Sequence, residues 1–340
     1  MAKHTGVLLC NLGTPTAPTP VAVRQFLNAF LGDPRVVELP RIPWTLLRKI
    51  LIPLRAKRVV KSYQAIWTEQ GSPLLVNTLA LAAALNKSLA HHLTVVPAMR
   101  YSEPSIEAGL QHLLSIKVDH IIILPLFPQY SAATTASIFD VVSESLRQQR
   151  FIPSLHFISG YFDHPAYIQA LKVQIMQHLQ LHGMPDQFIL SFHGLPQTMV
   201  DQGDPYQQHC QQTAAKLAAA CGWRPQQWQL TFQSRVGPKS WLQPYTDLAL
   251  KQLPSSGVKN IAVICPGFAI DCLETLEEIA ILNRAYFLQA GGKQFTYIPA
   301  LNQHPSQIEL LTQLILAAKP QQIESKLNNT AMELSINPYS

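Results

Sequence analysis

The chain has 340 residues, 47% of them apolar and 14% charged, with a formal net charge of +6. That composition allows a large buried core and two ordinary domains, and it excludes a disordered or fibrous chain. No apolar run approaches the roughly 20 residues of a membrane span. The modest positive charge suits an anionic ligand or surface but, without aromatic-basic motifs, gives no reason to expect nucleic acid.

In chain order, Met1-Ala-Lys-His-Thr-Gly6 passes straight into an apolar run and reads as no signal peptide. The cysteines at 10, 210, 221, 265 and 272 show no C-x-x-C spacing. Together these predict a cytoplasmic protein with reduced thiols. Strand-like runs fall at Val7–Cys10, Val95–Met99, His120–Leu124, Ser154–Ile158, Phe188–Leu190, Gln229–Phe232 and Asn260–Ile264. Helical patterns lie between them at Leu74–Leu93, Ser105–Ser115, Ala166–Leu181, Gln207–Ala220 and Thr275–Ala290. Short central runs separated by helices predict an α/β fold with parallel sheets covered on both faces.

The order of motifs repeats. Gly6–Pro15 resembles Phe188–Pro196, Arg100–Pro104 has a looser echo in Arg235–Pro238, and His120–Phe127 matches Asn260–Phe268. Two similar Rossmann-like halves are therefore expected, 1–160 and 161–320, with a polar tail over 321–340. The first half carries extra residues around 41–67. This segment holds seven cations (Arg41, Arg48, Lys49, Arg55, Lys57, Arg58, Lys61), no acid, and a series of aliphatic side chains from Ile42 to Leu54. Two readings stay open: a greasy, carboxylate-bearing ligand or anionic membrane surface, or a core helix with a solvated basic face.

Two features carry chemistry. His193 ends the run Gln187–His193, and Gly194 and Pro196 break the chain behind it. Strand ends of an open α/β sheet are where ligands bind, and an imidazole there serves as base or metal ligand near neutral pH. Some eighty residues on, Cys265-Pro-Gly267 breaks another strand before a run holding Asp271, Glu274, Glu277 and Glu278. On an α-helix Glu274 and Glu278 share a face. Acids also favour helix N-termini for electrostatic reasons alone. If both clusters reach one sheet edge, they offer nitrogen and oxygen ligands for a divalent first-row metal, and groups that accept protons.

The ordered set Asn11–Pro15, Gly71–Leu74, Met99–Tyr101, Leu124–Ser131, Ser191–Pro196, Phe232–Pro238 and Cys265–Glu277 resembles the ferrochelatase family, from about residue 5 to about 318. The resemblance implies two Rossmann-like domains with a cleft between them, and a lyase that inserts Fe²⁺ into protoporphyrin IX to form protohaem. It implies His193 and Glu274 as catalytic and metal-contacting residues, supported by Asp271 and Glu278, with Leu12, Arg100 and Tyr130 against the porphyrin. Iron is then a substrate rather than a resident cofactor. Animal members carry a histidine where this chain has Cys272, and C-terminal cysteines that hold an iron–sulfur cluster; residues 328–340 contain no cysteine, so no cluster is expected. Neighbouring readings are a chelatase for coproporphyrin or for another metal or tetrapyrrole, and a non-catalytic tetrapyrrole carrier. Peripheral membrane contact through 41–61 is a further expectation.

Overall fold

The computed structural model describes residues 4–89 and 93–319; the tail expected over 321–340 lies outside the described residues. The first half runs β1 (Thr5–Asn11), α1 (Pro20–Phe30), α2 (Arg41–Ile66), α3 (Pro73–Ser88), β2 (Leu93–Met99), α4 (Ile106–Ser115) and β3 (His120–Pro125). A π-helix (Ala132–Ala136), α5 (Ser137–Arg147) and β4 (Ser154–Phe157) complete it. The second runs α6 (Pro165–His182), β5 (Gln187–His193), α7 (Gln197–Asp201), α8 (Tyr206–Cys221), β6 (Trp228–Gln233) and α9 (Thr246–Gln252). It closes with β7 (Asn260–Ile264), a second π-helix (Glu274–Asn283), α10 (Arg284–Gln289), β8 (Gln294–Ile298) and α11 (Pro305–Ala318).

The strands form two four-stranded sheets, ordered β2-β1-β3-β4 and β6-β5-β7-β8. All pairings within them are parallel. The two orders are the same, so the repeat seen in the motifs is a repeat of topology. β1 and β3 are buried along their whole length because helices cover both faces, which is why they read as continuous apolar runs. In each sheet the chain leaves the central strand first to one side and then to the other. The carboxyl ends of β1 and β3, and of β5 and β7, are therefore switch points where a crevice opens.

Register corrects one detail of the repeat. Met99 N–H donates to Pro104 O at 2.7 Å, and Phe232 N–H donates to Pro244 O at 2.8 Å. Met99 thus matches Phe232, Arg100 matches Gln233, and the partner of Pro104 is Pro244 rather than Pro238. Since Asn11 pairs with Met99 and Phe192 with Phe232, Leu12 occupies the place of His193 and Gly13 that of Gly194. The second motif fell out of step because its turn is longer, and sequence spacing alone could not show which proline closes it.

Other expectations shift at their edges. The helix expected over Leu74–Leu93 ends at Ser88, and Leu93 already belongs to β2; a buried helix face and a buried strand in close succession give one unbroken apolar pattern. The helix expected over Thr275–Ala290 is π through Asn283 and α only from Arg284. Gln294–Ile298 adds a strand that the periodicity did not separate from its surroundings.

The segment 41–67 is a single helix of 26 residues. Its later turns bury Ile52, Ala56, Val60 and Tyr63 against α1 and Tyr101, and Trp44 Nε1–H reaches back to Leu31 O at 2.6 Å. Neither earlier reading describes it alone. One side is core, while Ile42 (78% exposed), Leu46, Leu47, Ile50 (66%) and Leu54 face outward among the cations. A continuous core joins the halves: Val7, Leu9 and Leu81 share one buried cluster with Phe188, Leu190, Ile264 and Leu310. α11 packs on both α6 and α3.

Candidate active site

His193 is the last residue of β5, at the switch point of the second sheet. Its turn demands glycine next: a Cβ on Gly194 would stand 2.7 Å from Gln233 O and 3.2 Å from the Trp241 ring. Gly194 N–H instead donates to Gln233 O at 2.7 Å. His193 Nδ1 lies 2.6 Å from Gly194 O. A carbonyl can only accept, so Nδ1 carries the proton and Nε2 keeps its lone pair for another partner. The ring is half-buried, with Phe268 beside it at 6.4 Å between centroids.

The acidic run follows β7 and enters the second π-helix, whose hydrogen bonds span five residues instead of four. Asn283 Nδ2 donates to Glu278 O at 2.8 Å within it. Glu278 is gripped by the end of β6. Ser234 N–H donates to Glu278 Oε1 at 2.7 Å, and Ser234 Oγ–H forms a short bond to Glu278 Oε2. Ser234 holds this posture with φ of +66°, rare for a residue with a side chain. Burial raises the Glu278 carboxyl above the usual glutamate range, while the Ser234 bonds and the His193 charge pull the other way and Glu274 adds to the rise. Glu278 is therefore within electrostatic reach of both His193 and Glu274.

Glu274 opens the π-helix, and Gln233 Nε2–H donates to its main-chain oxygen at 2.8 Å. Its carboxylate bears on two buried groups. Cys272 lies beside it, the thiol pushed up by burial and then by Glu274. Tyr63 of α2 reaches it from the other half: burial, then Glu274, pushes the phenol well up, and Thr14 bonds its hydroxyl.

Asp271 differs from the expectation. Thr275 Oγ1 (2.9 Å), Tyr297 OH (2.6 Å) and Ala300 N (3.2 Å) all donate to its Oδ1, and Asn302 Nδ2 donates to Oδ2 at 2.7 Å. The carboxylate is buried and surrounded by donors, so it locks the loop before the π-helix instead of backing Glu274. Asp271 lies three residues before Glu274, but the helix begins only at Glu274.

The residues expected against porphyrin lie at the corresponding corner of the first half. Leu12 and Leu273, the neighbour of Glu274, both pack against the buried cluster that holds Tyr63 and Tyr101. Arg100 donates through Nη2 to Asp33 Oδ2 at 2.7 Å and through Nε to Ser137 Oγ at 2.7 Å. Asp33 also accepts from Tyr101 OH and Ser137 Oγ, and these bonds hold its carboxyl below the usual range despite burial. Tyr130 N–H donates to His209 Nδ1 at 3.3 Å, and its hydroxyl lies within electrostatic reach of Arg35. Sequence reasoning gave no role to Gln233, Ser234 or Tyr63. The first two sit inside a recognised motif; Tyr63 was hidden in a run that reads as basic and aliphatic.

A family model described as ferrochelatase matches residues 4–319. Over 319 residues the chain is 48% identical to the ferrochelatase of Aeromonas hydrophila subsp. hydrophila, covering 93% of this chain and 98% of that one. It is 50% identical to the coproporphyrin III ferrochelatase of Streptococcus mutans serotype c over 318 residues, covering 92% and 98%. Among solved structures, the sirohydrochlorin chelatase SirB of Bacillus subtilis subspecies spizizenii with cobalt superposes at a TM-score of 0.55 and 11% identity, covering 93% and 95%. CbiX, the terminal enzyme of sirohaem biosynthesis in denitrifying bacteria, does so at 0.53 and 16%, covering 93% and 100%. These two establish likeness of fold. With the family match spanning nearly all of it, the chain belongs to the ferrochelatase family, lyases that insert ferrous iron into a porphyrin.

Proposed function

We propose that this chain metallates protoporphyrin IX in the crevice between its halves, with His193 taking pyrrole protons through Nε2. The observation that carries this reading is the bond from His193 Nδ1–H to Gly194 O, which leaves a single lone pair on Nε2, with the Glu278 carboxylate within electrostatic reach of the ring. Two pyrrole N–H protons must leave as the iron sheds water and enters. One lone pair holds either a proton or iron at a given moment, so a second acceptor is needed. Glu278, whose proton affinity is raised by burial, and Glu274 supply it. A flat macrocycle hides its lone pairs; a cleft that holds the ring bent exposes them at the expense of binding energy. Leu12, partly buried against the cluster that α2 helps to build, offers apolar surface, and Arg100 Nη1, outside the bonds to Asp33 and Ser137, is suited to a propionate.

Anaerobic incubation with Fe²⁺ and protoporphyrin IX, followed by absorbance, tests the reading. His193→Ala is expected to abolish insertion while porphyrin still binds; wild-type turnover in that variant would remove His193 from the mechanism. A second reading, coproporphyrin as substrate, is favoured by the Streptococcus mutans relative. Coproporphyrin carries propionates where protoporphyrin has vinyl groups, so parallel assays of both, with Fe²⁺ and Co²⁺, separate the two. A porphyrin spectrum that never changes to that of a metalloporphyrin would mean a carrier. The protein is further proposed to be cytoplasmic and to meet an anionic membrane surface through the exposed aliphatic and basic face of α2.

A further inference from the structure

Gln233, at the end of β6, touches the support of every group just assigned to proton transfer. Its main-chain oxygen receives Gly194 N–H at 2.7 Å, and Gly194 O in turn receives His193 Nδ1–H at 2.6 Å. Its amide donates to the main-chain oxygen of Glu274 at 2.8 Å. The next residue, Ser234, holds both oxygens of Glu278. The histidine belongs to one strand and the carboxylates to a helix after another strand, and Gln233 bridges them directly.

The side chain is built to stay where it is. Gln233 is 3% exposed. Since Glu274 O can only accept, Nε2 must point at it, which turns Oε1 toward Ser191 Oγ–H at 2.7 Å and the Cys265 thiol at 3.6 Å. Ser191 shares a bond with Thr246 at 2.8 Å, and Thr246 donates to Thr231 at 2.9 Å. A buried, fully partnered polar chain of this kind specifies one geometry.

The repeat supplies an independent observation. Arg100 occupies the equivalent position in the first half, and its Nε also crosses to the helical segment after the following strand, reaching Ser137 O at 3.1 Å. Both halves thus brace this corner from the same place. In the first half a charged side chain stabilises a buried acid; in the second a neutral amide acts at the π-helix that carries Glu274 and Glu278.

We propose that Gln233 is a positioning residue that sets the separation between His193 and the Glu274–Glu278 carboxylates. The inference rests on the functional reading above. Partners that orient a reacting group are worth about 10- to 100-fold in activity, and small misplacement of reacting atoms costs on that scale. Gln233→Met keeps the length and removes both polar ends. In the full-length protein its kcat for iron insertion into protoporphyrin IX is expected to fall about 10- to 100-fold, with the KM for porphyrin unchanged within about twofold. Ser191→Ala, which releases Oε1, is expected to show a smaller loss of the same kind. A wild-type kcat in Gln233→Met overturns the proposal, and so does a raised KM at constant kcat, which would make Gln233 a substrate contact. If Gln233→Met does not fold, Ser191→Ala decides: reduced kcat at constant KM supports the proposal, and wild-type kinetics overturn it. A wild-type protein that inserts no iron defeats the functional reading itself, whereas an active wild type with equally active variants defeats only the role of Gln233.

Discussion

Glu278 is a buried carboxylate that costs stability and that is proposed to accept a proton in the reaction. Burial raises its pKa more than the Ser234 bonds and the His193 charge lower it. The unfolded chain releases that proton near the ordinary glutamate value, about 4.3. Between that value and the raised folded one, the folded chain binds the extra proton, so stability falls as pH climbs through the window. Above the window the whole penalty is present. Glu278→Gln removes it. Melting curves across pH should show the variant more stable than wild type at pH 7, with the difference closing below about pH 4. Iron insertion should fall about 100-fold or more as the proton acceptor is lost. A variant that melts below wild type at pH 7 would mean that the Ser234 bonds outweigh burial.

At the scale of elements, both sheets send their third strand into a loop followed by a π-helix that continues as an α-helix. The two are held differently. The second is fastened within its own half, by Gln233 at Glu274 O and by the Asp271 loop. The first is fastened from the other half: Asp204 Oδ2 accepts from Ala132 N at 2.7 Å and from Ser131 Oγ at 2.9 Å. Asp204 is itself anchored by Tyr206 N and lies just beyond α7, the short helix that follows the His193 turn. Gln129 Nε2 to Thr213 Oγ1, at 3.0 Å, adds a second tie between the same segments. Asp204→Ala leaves Ala132 N–H and Ser131 Oγ–H at the start of the first π-helix without their shared acceptor and is expected to destabilise the protein by about 1–3 kcal/mol. Thermal or urea unfolding measures this; a change below about 0.5 kcal/mol, the usual level of an inert surface substitution, would show that these two bonds carry no weight.

At the scale of the whole molecule, the two halves share topology but not chemistry. The corner that carries His193 in one carries Leu12 in the other, so one side of the crevice presents a base and acids and the other an apolar wall with Arg100. α2 closes over that wall, and its outer face remains aliphatic and basic in a chain of net charge +6. No helix of the described residues is long and apolar enough to cross a membrane. The contact with a bilayer proposed for that face of α2 would be electrostatically assisted. The protein should float with anionic vesicles at low salt and be released as salt shortens the screening length from about 10 Å at 0.1 M to about 3 Å at 1 M. Equal flotation with neutral vesicles, or none at low salt, would overturn that contact.

The sequence by itself determined the α/β class, the repeat and the identity of the catalytic candidates. Buried parallel strands must be short apolar runs, a strand that turns sharply beside another backbone needs glycine, and His193 and Glu274 lie in dense motifs of the family. Only the tertiary structure decided which groups cooperate. Asp271 reads like Glu278 in sequence, yet Thr275, Tyr297, Ala300 and Asn302 converge on it from separate segments and make it structural. Glu278 acquires its elevated proton affinity from burial, moderated by the bonds of a serine 44 positions away. Gln233 is unremarkable in sequence because its importance lies in neighbours on β5 and in the second π-helix. Local pattern reports backbone geometry and side-chain polarity; desolvation and long-range hydrogen bonds exist only once the chain has folded.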